Sequence, residues 1–210
     1  MLQSYSESLQ IGKRKFKIDL FFPSNFQCEK NSSSVRAFAQ GSRTGICVYF
    51  ETEKDHFFRA GLVSISGEGA DFPSSILEER EMIESLRSPA DGTIVRAVVF
   101  EVTLEDQEDD DENDLYSIYT ILSAGMPPAV HVNHSQFTLP ARGGIPVGIA
   151  SSEAYRRQKM EWTPGSLIYL HTELPETGWL MRDFHTLLTS ENPSARLPEN
   201  MGLICLEYTK

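Results

Sequence analysis

Apolar residues along this chain fall in short runs that alternate with polar ones, a period of two that marks half-buried strands. Lys15–Phe22 alternates Lys and Asp with Phe, Ile and Leu before ending apolar. Gly45–Phe50 and Phe57–Ile65 are apolar runs separated by the polar segment Glu51–His56, which predicts two strands around a hairpin-like turn. Thr93–Leu104 and Leu115–Ala124 are long β-branched and aromatic runs. Shorter strands fit Ala129–Val132, Leu167–His171 and Gly202–Tyr208.

Helical periodicity is persuasive in one segment. Asp71 is placed as an N-cap with Pro73 in the first turn. Phe72, Ile76, Ile83 and Leu86 then recur on one face, with Glu78, Glu79 and Arg80 outside. Ser88-Pro89-Ala90-Asp91-Gly92 ends it. A second helix is expected over Trp179–Thr189. These elements predict an α/β (α+β) sandwich of two mainly antiparallel sheets flanked by helices, built as one domain from residues 1–210.

The chain has 210 residues, of which 40% are hydrophobic, enough for one substantial core. No apolar run approaches the roughly 20 residues of a membrane span, and Met1–Gln10 lacks the apolar centre of a signal peptide. A formal net charge of −11 argues against nucleic acid, whose binding gains affinity by neutralising phosphates, and favours protein partners. Cys28, Cys47 and Cys205 are odd in number and widely spaced, which predicts reduced thiols in a cytoplasmic protein. Cys47 and Cys205 lie in apolar runs and read as core residues.

Glu105–Asp114 holds eight acids in ten residues. Such a run repels itself and is expected as a solvated hairpin tip. It lacks the glycine and the terminal glutamate of a helix–loop–helix calcium site.

Histidine and serine chemistry is weakly signalled. His131 and His134 are three apart, so strand alternation sends them to opposite faces. His171 ends an apolar strand, where a packed neutral imidazole is expected. No serine sits on a nucleophile elbow. Ser64-Ile65-Ser66-Gly67-Glu68-Gly69 follows a strand and precedes the helix, and its glycines permit a tight turn. It is no nucleotide-binding Walker loop, since no Gly-Lys-Ser/Thr follows.

Taken in order, these segments resemble the PPM-type metal-dependent Ser/Thr phosphatases, in the bacterial branch typified by sporulation stage II protein E and stress-response sigma-factor regulators. There a strand ends in Asp-Val-Ser-Gly-Lys/His-Gly, matched here by Ser64–Gly69. Ala-Gly-His-Pro-Pro is matched by Ala124-Gly125-Met126-Pro127-Pro128, and Gly-x-Pro-Leu-Gly-Ile by Gly144–Ile149. Pro-Gly-Asp-x-Leu-x-Leu-Tyr-Thr-Asp-Gly is matched by Pro164–Leu174, and a closing Asp-Asp pair by Glu199-Asn200. The resemblance covers residues 40–210 and implies a reduced helical layer, because Leu86 to Thr93 is short.

The resemblance further implies two Mn²⁺ or Mg²⁺ ions that position a water for attack on a phosphoserine or phosphothreonine. The positions that match the metal ligands are Ile46, Ser64, Glu173, Glu199 and Asn200, and Glu173 and Glu199 alone keep a carboxylate. Gly67 and Gly69 match turn glycines. The expectation is a catalytically degenerate PPM-type domain with no cofactor, or at most one weak ion at Glu173 and Glu199. It would act as a regulatory or protein-binding module in bacterial phospho-signalling. By family analogy its partner is an anti-sigma-factor antagonist, a kinase-type anti-sigma factor or a response regulator. Two alternatives stay open. One is an active, divergent Mn- or Mg-dependent phosphatase that recruits Glu173, Glu199 and an acid such as Asp55, Glu68 or Asp71. The other is an unrelated acidic β-rich binding protein.

Overall fold

The computed structural model describes residues 2–41, 44–53, 57–67, 94–103, 117–134, 136–140, 144–147, 157–172, 186, 190 and 197–209. The described chain forms β1 (Leu2–Ile11), β2 (Arg14–Pro23), β3 (Gln27–Lys30), β4 (Ser34–Gln40), β5 (Thr44–Glu53), β6 (Phe57–Ser66) and β7 (Ile94–Thr103). It continues with β8 (Ser117–Ala124), β9 (Val130–Asn133), β10 (Gln136–Thr138), β11 (Gln158–Trp162), β12 (Leu167–His171) and β13 (Leu203–Thr209). Sheet 1 is six-stranded in the order β1-β2-β13-β12-β9-β10, and sheet 2 is seven-stranded in the order β11-β8-β7-β6-β5-β4-β3. Every pair of neighbouring strands is antiparallel. The two expected antiparallel sheets are therefore present. The helix expected at Asp71–Leu86 and the acidic tip at Glu105–Asp114 fall outside the described residues, and of the helix expected at Trp179–Thr189 the one described residue, Thr186, is helical. Among the described residues no helix is long and apolar enough to cross a membrane.

Among the described residues, alternation along the strands creates three apolar clusters. The largest lies between the sheets: Ile18, Leu20, Ile168, Leu170, Ile204 and Leu206 of sheet 1 meet Val48, Phe50, Phe58, Leu62, Val98 and Ile121 of sheet 2. Aromatic rings concentrate there around Trp162, whose centroid lies 5.1 Å from Phe16, 5.3 Å from Phe100 and 5.6 Å from Tyr208. Phe21, Val130, Tyr169 and Leu203 form a second cluster on the outer face of sheet 1. Cys47, Tyr49, Val63, Ile65, Val95 and Ala97 form a third on the outer face of sheet 2. Cys47 is thus a core residue, and burial pushes its thiol up to about 12. Cys205 is half-buried and packs against the second cluster, and all three cysteines are free.

One sequence expectation needs correction, and one strand goes beyond what the sequence predicted. Glu51 does not begin a turn, because β5 continues to Glu53. The strand accommodates the acid because it pairs with Arg36 on sheet 2. The polar segment at residues 2–11 is also a strand, β1, paired over its whole length with β2. It edges sheet 1 and exposes alternate side chains, so it needs few apolar residues.

Turn chemistry follows local sequence. In Thr163-Pro164-Gly165-Ser166, Gly165 has φ +85° and Ser166 N–H donates to the Thr163 carbonyl at 3.1 Å. Pro then Gly at the two central positions suits a turn of this kind. The Ser166 hydroxyl also donates to that carbonyl, at 2.6 Å. Ser166, which stands where the phosphatase motif has Asp, is therefore a turn residue at the start of β12.

His131 and His134 part, although His134 lies beyond the end of β9 and not on its opposite face. His131 is buried in β9, whereas His134 is exposed in the turn after it with φ +56°. His131 Nδ1 lies 3.1 Å from the Tyr119 hydroxyl, and Nε2 is buried without a hydrogen-bond partner among the described residues. Burial lowers the imidazole's pKa below its usual value. The unfolded chain therefore takes up a proton near pH 6.5 that the folded chain resists. Stability is expected to be full above pH 6.5 and to fall as the solution is acidified through that value. In urea titrations at pH 7.5 and 5.5, His131→Gln should show a smaller drop than the parent. An identical drop would show that His131 is not the group responsible.

Candidate functional site at one end of the sandwich

The strand register collects the marked residues at one end of sheet 2. Ile46 lies opposite Ser64, and Ser64 lies opposite Arg96. Two residues further out, Thr44 lies opposite Ser66 and Ser66 opposite Ile94. Two residues further in, Val48, Leu62 and Val98 belong to the inter-sheet core. A strand returns to the same face every second residue. Ile46, Ser64 and Arg96 therefore all face sheet 1, where the core gives way to solvent. Ile46 and Ser64 are half-buried and Arg96 is exposed.

Sheet 1 answers with Thr172 and Gly202, which follow β12 and precede β13. Thr172 N–H donates to the Gly202 carbonyl at 3.0 Å, and Gly202 N–H donates to Thr172 Oγ1 at 3.0 Å. A side-chain carbon on Gly202 would lie 3.0 Å from Val48 Cγ2, 3.1 Å from Thr172 Cγ2 and 3.6 Å from Ile46 Cγ2. The absence of a side chain at 202 lets the sheets close here. Glu199 and Asn200 are exposed on the turn leading to this contact, which Met201 N–H closes onto the Pro198 carbonyl at 3.1 Å. Of the residues marked in the sequence, Ile46, Ser64, Glu199 and Asn200 thus come to the same end of the sandwich. Gly67 follows β6 with φ +142°, a conformation that favours glycine. Glu173 and Gly69 lie outside the described residues.

The glycine motifs after β8 clamp onto β7 beside this row. Gly125 has φ +71°, pairs with Ala97 and donates to the Gly144 carbonyl at 3.0 Å. Val147 N–H donates to the Val95 carbonyl at 2.8 Å. A side-chain carbon on Gly125 would sit 2.9 Å from Pro146 Cα and 3.1 Å from Arg96 Cγ. At the other side of the motif, His171 Nε2 donates to the Pro128 carbonyl at 3.1 Å, so His171 is a packed, buried residue.

Adjacent divalent cations need several oxygen anions, one of them bridging. The described side chains in this row offer hydrocarbon at Ile46, a neutral hydroxyl at Ser64 and a cation at Arg96. They do not fit a pair of divalent ions. Among the described residues no three His, Cys, Asp or Glu side chains gather to hold a metal.

Arg96 escaped the sequence reading. The available signal was a charge at the third position of an otherwise apolar strand, Ile94-Val95-Arg96-Ala97-Val98-Val99. Its facing depends on register, which that pattern does not state.

A sequence model of the Stage II sporulation protein E (SpoIIE) family matches residues 114–173, which span β8, both glycine motifs and β12. The phosphatase domain of the Bacillus subtilis cell fate determinant SpoIIE, solved with a fragment of its regulatory domain, superposes with a TM-score of 0.50. That likeness covers 100% of this chain and 70% of that one, at 12% identity. The chain has the PP2C (PPM) phosphatase fold. RsbX, solved in complex with magnesium, is similar at TM-score 0.45 and 12% identity, over 88% of this chain and 100% of that one. The S. agalactiae serine/threonine phosphatase is similar at TM-score 0.47 and 11% identity, over 100% of each chain. Among curated proteins no sequence matches the chain. In this PP2C fold the solvent-facing end of the inter-sheet face of sheet 2 is the place where strand register, glycine turns and the approach of sheet 1 converge.

Proposed function

We propose that this chain is a catalytically degenerate PP2C-fold domain that works as a regulatory, protein-binding module in bacterial phospho-signalling. The row Ile46–Ser64–Arg96 carries the reading, because it sets an apolar group, a hydroxyl and a positive charge where two-ion hydrolysis needs anions. Glu173 and Glu199 keep carboxylates, and a single weakly held ion cannot reproduce a two-ion activation of water. The SpoIIE-type segment supports a partner among proteins of phosphorylation-controlled sigma-factor circuits, such as an anti-sigma-factor antagonist. The free thiol of exposed Cys28 suits a reducing cytoplasm.

The expected result is that Mn²⁺ gives no hydrolysis of phenyl phosphate above buffer and no calorimetric binding signal. Glu173→Ala should leave both blanks unchanged. Metal-dependent turnover that disappears in Glu173→Ala would instead establish the divergent enzyme.

A further inference from the structure

Resting on that reading, we infer that Arg96 is the centre of a metal-independent oxyanion site that holds the phosphoryl group of a phosphorylated serine or threonine on a protein. The inner faces of β5, β6 and β7 present Thr44, Ile46, Val48, Phe50 and Thr52; Phe58, Ala60, Leu62, Ser64 and Ser66; and Ile94, Arg96, Val98, Phe100 and Val102. Arg96 is the one charged side chain among them. A guanidinium on such a surface is costly unless it stays in water or meets an anion. The other arginines of sheet 2 have met theirs: Arg59 is 2.9 Å from Glu101, and Arg36 pairs with Glu51. Among the described residues no carboxylate pairs with Arg96.

The surroundings position this charge rather than bury it. Gly125 leaves the space that the Arg96 stem uses, since a side-chain carbon there would stand 3.1 Å from Arg96 Cγ. The stem is confined at Gly125, and Arg96 as a residue is exposed. Ser64 is its direct cross-strand neighbour, and Ser66 and Thr44 form the next row, so three hydroxyl donors share the face. A guanidinium presents a planar fork of N–H donors that matches two phosphoryl oxygens. One such cation beside hydroxyls can hold the group, but it generates no hydroxide nucleophile. The site therefore binds what a phosphatase would cleave.

Apolar neighbours favour a protein ligand over a free ion. Ile94 and Ile145 are exposed by 37% and 48%. Ile94 lies on the same face two residues from Arg96, and Ile145 precedes the Pro146 that closes on Gly125. Both offer ground for a side chain next to the phosphorylated residue. The net charge of −11 disfavours a nucleic-acid phosphate.

The test uses the full chain in EDTA, titrated by calorimetry with N-acetyl-phosphoserine amide, N-acetyl-serine amide and inorganic phosphate. The phosphorylated amide should bind and the unphosphorylated one should not. Inorganic phosphate should bind more weakly than the phosphorylated amide. Arg96→Gln should weaken binding about tenfold or more, and Arg96→Lys should fall between, since it keeps charge and loses the fork. In the unaltered chain the Arg96 Nε–H resonance should shift on addition of the phosphorylated amide, a readout that needs no variant. Equal affinity in Arg96→Gln, binding that appears only with Mn²⁺, no binding at all or an unmoved Arg96 resonance would overturn the inference. Binding to inorganic phosphate as tight as to the amide would overturn its protein specificity. Phenyl phosphate turnover with Mn²⁺ would sink the preceding reading alone, leaving an EDTA-resistant, Arg96-dependent affinity in place.

Discussion

Trp162→Ala is expected to destabilise the chain by about 3–5 kcal/mol, a large share of the roughly 5–15 kcal/mol that holds a domain folded. Trp162 is fully buried and joins the two sheets. It stacks on Phe16 of β2 at 5.1 Å and meets Tyr208 of β13 at 5.6 Å, both in sheet 1. On its own sheet it meets Phe100 edge-on at 5.3 Å and Phe58 at 6.1 Å. Alanine would leave a hole between layers that cannot collapse without shifting the rings packed around it. The indole nitrogen has no hydrogen-bond partner among the described residues. Trp162→Phe therefore gives up ring volume but no paired N–H, and should cost less than half as much. Urea denaturation of both variants measures the difference, and equal losses would show that ring packing is not what Trp162 contributes.

Gly61→Ala should destabilise by the opposite fault, excess volume, at about 1–3 kcal/mol. Gly61 lies directly opposite Tyr49 across β5 and β6. The Tyr49 ring lies over it so closely that an added carbon would stand 2.5 Å from both Cζ and the hydroxyl oxygen. Tyr49 is 5% exposed and packed in the outer cluster of sheet 2, so the ring has little room to move. The clash requires both partners. Once Tyr49→Val has removed the ring, adding Gly61→Ala should cost far less than it does in the parent. Strict additivity in thermal melts of the double variant would refute the contact.

Those two sites show which parts of the fold the sequence made readable. β2, β5, β6, β7, β8, β12 and β13 announce themselves because their side chains enter the space between the sheets, or are buried on both faces as at Cys47 and Val48. β3 is exposed at all four positions, so no hydrophobic signal survives there. β11 shows only Met160 and Trp162 inward, too few points to separate alternation from chance. The tight glycine motifs were legible because positive φ and close approach at Gly125 and Gly165 admit few alternatives. The sequence marked two members of the candidate row, Ile46 and Ser64, but not its geometry. That Ile46, Ser64 and Arg96 form one row is a property of hydrogen-bond register across three strands separated by unrelated sequence.

The order of strands in sheet 1 also constrains how the chain is made. β13, the last strand, sits between β2 and β12, with Leu203 opposite Phe21 on one side and His171 on the other. Among the described residues sheet 2 has no strand after β11 and grows largely through successive hairpins. Sheet 1 must hold β1 and β2 in waiting through synthesis of all later strands. Contacts this distant in sequence slow folding. On the ribosome β2 would present an unfilled hydrogen-bonding edge until β13 emerges, the interval in which a nascent chain most needs a chaperone.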